Sequence, residues 1–237
     1  PEQRVDGLLG VAVAGVLSLG LWAVSGLAFG LGPVSLVRFY GESARVYPVT
    51  SANAFNLWGA VGFWRPDGKG ENSVGVLGLS AARIGLLLFV AITIAVLWQT
   101  HRAIERGAGE AIALTAASAT VALAGYVVLT RMHERYMFMS LVLLAPLVFV
   151  RQLRLAYAGL SALFCLNLWF VYAYFNAQWK DAGYPTGDFY WRPVYTWVFG
   201  EMLQTDTWQK QIWSLLVVAI ATAVLARGLR SEEHTSE

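Results

Sequence analysis

Between two apolar runs the chain places Thr130, Arg131, Met132, His133, Glu134, Arg135 and Tyr136. So many polar and ionisable side chains exceed what a short turn between helices needs. A guanidinium matches phosphate oxygens in a two-pronged fork, so Arg131 and Arg135, with His133, can grip a phosphate. Glu134 can orient one of them or set the tautomer of His133. The plainer reading is an interfacial ion-pair cluster that ends two helices. Residue types alone leave both open.

A second stretch, Arg45-Val46-Tyr47-Pro48-Val49-Thr50-Ser51-Ala52-Asn53-Ala54-Phe55-Asn56-Leu57-Trp58, is dense in hydroxyl, amide and aromatic groups. Sugars suit such surfaces, because their hydroxyls bond to amides and their C–H faces lie on rings. Arg45, Tyr47, Asn53, Asn56 and Trp58 are its candidate sugar- or acceptor-site residues. From Asn53 to Trp58 the chain reads as the start of an interfacial helix, with Thr50 or Ser51 as its N-cap. The plainer alternative is an aromatic-belt helix resting on a membrane surface. A third stretch, 178–211, carries Trp179, Tyr184, Tyr190, Trp191, Arg192, Pro193 and Trp197. It reads as a cover over a groove, an acceptor-binding loop, or a plain surface lid. Asp67, Glu71 and Asp188 read as solvated loop carboxylates rather than catalytic bases.

The elements that must position these residues follow from composition. Hydrophobic residues make up 57% of the chain and charged residues 14%, against about 25% charged in a soluble domain. A spanning helix needs roughly 20 apolar residues with polar flanks. Stretches near 8–31, 79–98, 111–129, 137–150, 155–175 and 212–226 meet that description. The expected fold is therefore all-α, a polytopic transmembrane bundle of about six spans. The fourth stretch is short and carries Pro146, which kinks it.

Short Arg-bearing connections at 99–110, 151–154 and 227–230 alternate with long loops at 32–78 and 176–211. By the positive-inside rule the short basic side is cytoplasmic. The long loops and the 130–136 turn are then extracytoplasmic. No ionisable residue stands near the middle of any expected span, which argues against an ion-coupled transporter. Thr115, Ser118, Thr120, Ser161 and Asn167 read as helix-packing polar groups.

With a net charge of +2 and no aromatic-interleaved basic patch, nothing points to nucleic acid as a partner. Cys165, the single cysteine, reads as a small buried hydrophobe. No His/Asp cluster has metal-ligand spacing, and no Gly-rich phosphate loop is visible. The chain opens at Pro1 without Met, which reads as a fragment. Residues 231–237 read as the translation of a sequencing-library adapter, so residues 1–230 form the expected domain.

Tyr47-Pro48, then Asn53-Ala54-Phe55-Asn56-Leu57-Trp58, then Met132-His133-Glu134-Arg135-Tyr136 together resemble the membrane-embedded C-type glycosyltransferases. The nearest likeness is to the dolichyl-phosphate-glucose-dependent glucosyltransferases of N-glycan assembly and their bacterial relatives. The resemblance runs from about Arg38 to Leu144, with compatible helices as far as Ala226. It implies a polyprenyl-phosphate-linked hexose as donor, and membrane lipid and lipid-linked sugar as partners. Arg131, His133, Glu134 and Arg135 would sit at the donor phosphate, and the loop of Asn56 and Trp58 would wall the sugar site. Where the eukaryotic members carry an acidic-Lys pair, this chain has Thr50-Ser51.

The family's catalytic carboxylate lies in a first extracytoplasmic loop, to which residues 1–30 have no counterpart. The expectation is therefore the C-terminal part of an integral membrane hexosyltransferase of a bacterial plasma membrane. It would act at the extracytoplasmic face on a lipid-linked glycan, a lipid or a protein, and would be inactive as a fragment. The alternatives are a flippase or transporter for a lipid-linked substrate, and a structural membrane subunit.

Overall fold

The computed structural model describes residues 2–68, 74–183, 192–201, 204 and 206–228, and these are mostly helical. The chain divides into two compact units, Pro1–Tyr47 and Pro48–Glu237. The first contains α1 (Glu2–Leu27) and α2 (Pro33–Val46). Gly30 ends α1 in the left-handed region at φ +70°. There the Leu31 N–H reaches the carbonyl of Gly26 at 2.9 Å and the Gly30 N–H that of Leu27 at 3.0 Å. These bonds satisfy carbonyls that a helix end leaves open. Pro33 then opens α2 with a preset φ and no N–H to strand.

The second unit holds α3 (Leu57–Val61), α4 (Ala81–Glu105), α5 (Glu110–Val128), α6 (Met137–Leu144), α7 (Arg151–Asp181), α8 (Arg192–Phe199) and α9 (Trp208–Gly228). Two short sheets accompany them. One pairs β1 (Ser51–Ala52) in parallel with β4 (Met132–His133), and the other pairs β2 (Gly75–Val76) with β3 (Leu79–Ser80). Four helices, spanning Ala81–Glu105, Glu110–Val128, Leu153–Lys180 and Trp208–Ala226, are long and apolar enough to cross a membrane. On α4 the side chains of Leu86, Leu87, Ile94 and Leu97 are more than half exposed. That outward apolar surface is what a hydrocarbon solvent requires of a span.

Six spans were the expectation, and one of those stretches differs. The first is helical over Glu2–Leu27, with an apolar run of Gly15–Leu27 among the described residues. The fourth is too short. Its α-helix stops at Leu144 and continues as a 3₁₀ turn, Ala145–Leu147, because Pro146 supplies no N–H and crowds the preceding turn. Cys165 also departs from expectation, since it is exposed on α7. A thiol is apolar enough to stand on the outer face of such a helix.

The core of this unit is aromatic and gathers under the β1–α3 segment. Phe55 stacks on Phe170 at 5.6 Å between centroids, and Phe199 approaches Tyr195 at 4.9 Å. Offset and tilted ring pairs of this kind add about 0.5–1.5 kcal/mol each beyond their buried area.

Candidate functional site

Thr50 begins the assembly. Its N–H donates to the Arg65 carbonyl at 2.7 Å, and its hydroxyl donates to the Gly62 carbonyl at 2.6 Å. The Ser51 hydroxyl donates to the Ala54 carbonyl at 2.8 Å. Neither side chain caps a helix, contrary to expectation, because each closes a turn of the loop itself. The cap belongs to Asn56, whose Oδ1 accepts from the N–H groups of Trp58 and Gly59 at 3.1 and 2.9 Å. The helix it starts is buried at Trp58 and Gly59 rather than lying on a surface.

The same loop is sewn to the start of the 130–136 turn. The Arg131 N–H reaches the carbonyls of Val49 and Thr50 at 3.1 and 3.2 Å. Ser51 then lies opposite Met132 and Ala52 opposite His133 in parallel register, and a further bridge joins Asn53 to His133. Asn53 and Arg131 both take left-handed φ, at 69° and 64°. That conformation is easier for Asn than for Arg, and the surrounding bonds hold both. The first motif from Val49 onward and the 130–136 turn thus form one structural unit.

Several of the expected site residues spend their polar atoms within it. The amide of Asn56 donates to the carbonyls of Tyr126 and Leu129, each at 3.2 Å. The Trp58 indole donates to the Val128 carbonyl at 2.7 Å. Asn53 Oδ1 accepts from the Trp64 indole at 2.8 Å, and its carbonyl accepts from Asn167 Nδ2 at 2.7 Å. Asn53, Asn56 and Trp58 are all buried. Tyr47 follows the end of α2 in the first unit, while the side chain of Arg45 lies outside the described residues. Tyr184, Asp188, Tyr190, Trp191 and Glu71 also lie outside them. In the third stretch, Trp179 on α7 and Trp197 on α8 are exposed.

Asp67 corrects the reading of a solvated carboxylate. It is fully buried and accepts from Arg131 Nε at 2.6 Å, Arg131 Nη2 at 3.1 Å and the Thr130 hydroxyl at 2.9 Å. The hydrogen bond to Asp67 raises the pKa of Arg131 further, burial opposing it. Arg131 is thereby the strut that fixes the turn.

The exposed groups of the turn are Arg135 and Tyr136, with the His133 side chain, 15% exposed, packed beside them. The His133 ring meets Tyr136 edge-on at 5.5 Å, and the Arg135 guanidinium stands 5.3 Å from the Tyr136 ring centre. Arg135 is 60% exposed at its side chain. Glu134 is buried, with Oε1 at 3.4 Å from Arg135 Nη1. Its other oxygen lies 3.9 Å from His133 Nδ1, too far for a hydrogen bond. Glu134 therefore steadies Arg135 rather than the tautomer of His133. Burial, and then the charge of Arg135, push the His133 pKa below its usual value, which favours the neutral ring.

Sequence reasoning read Asn167 only as a helix-packing group and missed Asp206 and Lys210. Asn167 Oδ1 accepts from the Phe55 N–H at 3.0 Å and the Tyr126 hydroxyl at 3.2 Å, so it pins the loop rather than merely packing helices. Asp206 accepts from Arg65 Nε at 3.1 Å, Arg65 Nη2 at 3.0 Å and the Phe63 N–H at 2.8 Å. Lys210 is fully buried, bonds to the carbonyls of Glu201 and Gln204, and sits 5.0 Å above the Phe170 ring. Among the described residues no group of three His, Cys, Asp or Glu side chains is placed to hold a metal ion. Comparison with family models, with curated proteins and with solved structures returns no match.

Proposed function

We infer that the chain is part of a membrane-embedded glycosyltransferase that takes a hexose from a polyprenyl-phosphate carrier. The acceptor is a hydroxyl of a lipid-linked glycan, a lipid or a protein, reached at the extracytoplasmic face of a bacterial plasma membrane. The observation that carries this reading is the parallel pairing of Ser51–Ala52 with Met132–His133. It makes one unit of the two segments whose residues carry the family resemblance, and leaves His133, Arg135 and Tyr136 along its edge. A cation and a mostly buried imidazole beside an aromatic ring suit a sugar phosphate. The charge answers the phosphate, and the ring offers a face to sugar C–H groups.

In the proposed reaction the acceptor oxygen bonds to the anomeric carbon as the bond from that carbon to the phosphate oxygen breaks. The electron pair leaves with the polyprenyl phosphate. Arg135 and His133 stabilise that growing charge, an effect for which a single donor is worth about 10²–10³ in rate. The acceptor proton passes to the carboxylate base that the family resemblance implies. Asp67 is unsuited to that role, since both its oxygens are already held.

The test uses the full-length protein in proteoliposomes, with a polyprenyl-phosphate hexose labelled in the sugar. The proposal expects label in an acceptor together with released polyprenyl phosphate, both sharply reduced by His133→Ala in a protein that still folds. Movement of intact donor across the bilayer without cleavage would instead make the protein a flippase.

A further inference from the structure

We propose that α2 is a membrane-surface helix, lying in the lipid headgroup region with one face in hydrocarbon and the other in water. The inference concerns the first unit alone and rests on the chain being membrane-embedded.

A short turn launches α2. The closure of α1 at Gly30 and the restart at Gly32-Pro33 occupy only a few residues, so α2 starts directly at the end of an apolar helix. Gly26 makes the next contact possible. A Cβ there would meet Leu36 Cδ2 at 2.7 Å and the Leu31 carbonyl oxygen at 3.1 Å. Leu36 is accordingly buried, and it fixes which side of α2 turns towards α1.

At roughly 100° per residue, Ser35, Arg38 and Glu42 share an arc about 60° wide, well away from Leu36. Val37 and Phe39 flank Leu36, one on each side. Val37 is 61% exposed and Phe39 52% exposed. The side of α2 that carries Leu36 is thus mostly apolar, broken by Ser43 about 20° away, and the opposite side carries Arg38. A strongly amphipathic helix of low overall hydrophobicity, with a basic residue on its polar face, is the pattern of a segment that lies in the interface.

Water is a poor partner for Val37 and Phe39, and the polar arc is too broad for hydrocarbon all round. Lipid satisfies both, since Arg38 faces the phosphate layer while Val37 and Phe39 enter the acyl region. The segment Asn53–Trp58, which the sequence offered for this role, is buried instead.

Site-directed spin labelling of the full chain in proteoliposomes tests the assignment. Cys165 is the only native cysteine, so a Cys165→Ser background carries single cysteines at Ser35, Val37, Arg38, Phe39 and Glu42. Ile94 on α4 is the control for membrane insertion. Collision rates are measured with oxygen, which concentrates in hydrocarbon, and with a water-soluble nickel chelate.

The expected result is at least a 5-fold higher oxygen-to-nickel ratio at Val37 and Phe39 than at Ser35, Arg38 and Glu42. Low collision with both reagents at Val37 and Phe39 means that protein, a second copy or another segment, covers this face, and overturns the proposal. High nickel collision there puts the face in water and also overturns it. An Ile94 label that favours nickel contradicts membrane embedding itself, which separates that failure from failure of the α2 assignment. If a label at Val37 prevents folding, the label at Phe39 carries the comparison with Ser35, Arg38 and Glu42.

Discussion

The guanidinium of Arg131 closes on the carboxylate of Asp67 through two bonds, Nε to Oδ2 at 2.6 Å and Nη2 to Oδ1 at 3.1 Å. Asp67 is fully buried, while Arg131 keeps 34% of its side chain exposed. The pair ties the end of the first motif's loop to the beginning of the turn that bears His133.

Removing one partner of a fully buried pair costs about 3–5 kcal/mol. The partial exposure of Arg131 lets water screen the charge left behind, so Asp67→Asn should cost about 2–3 kcal/mol. Thermal unfolding in detergent reads this directly. A melting temperature equal to that of the wild type would show that the pair does not hold the turn.

Asn56 supplies two accepted bonds at the start of α3 and two donated bonds to the end of α5. Loss of an N-cap alone costs about 0.5–2 kcal/mol, and each buried carbonyl left open adds about 1–3 kcal/mol. Asn56→Ala should therefore destabilise by about 3 kcal/mol or more. Asn56→Asp keeps the cap but loses the donors and sets a carboxylate against two carbonyls. Both variants should melt well below the wild type, and a small loss in Asn56→Ala would leave Asn56 available for a sugar.

How much of this was legible beforehand differs from element to element. Hydropathy reveals α4, α5, α7 and α9, since a long apolar run has few other solutions. The 137–150 stretch looks similar until Pro146 is given its backbone consequence. The two motifs are conspicuous for their polar density, but residue types do not say which atoms remain for a ligand. Asn56 bonds as readily to a helix N-terminus as to a sugar hydroxyl, and the structure gives it the helix. The roles of Asp67, read as a solvated carboxylate, and of Asn167, read as a packing group, stayed hidden for another reason. Each meets its partners only through the fold, far along the chain, and no local spacing signals such a contact. Tyr136 was quoted as part of a motif, and its place between His133 and Arg135 needed coordinates.

The depressed pKa of His133 carries a pH dependence of definite sign. In the folded protein the ring resists protonation, because of burial and then Arg135. The unfolded chain binds that proton near pH 6.5, roughly the unperturbed value. Its contribution to stability is therefore complete above about pH 6.5 and declines as pH falls from there towards the folded pKa. Melting temperatures of the wild type should drop over this window more steeply than those of His133→Gln. Parallel curves would show that His133 does not titrate differently on folding.

The central claim is that the turn from Arg131 to Tyr136 receives a lipid-borne phosphate, and binding of polyprenyl monophosphate to the full-length protein in nanodiscs tests it most directly. A charge-assisted hydrogen bond contributes about 1.5–3 kcal/mol, so Arg135→Gln should weaken binding by roughly 10-fold or more. His133→Ala should weaken it further at pH 6 than at pH 8, as phosphate favours the protonated ring. Equal affinity in the wild type and both variants, with all three proteins folded, would contradict the account and leave the cluster a helix-ending ion network.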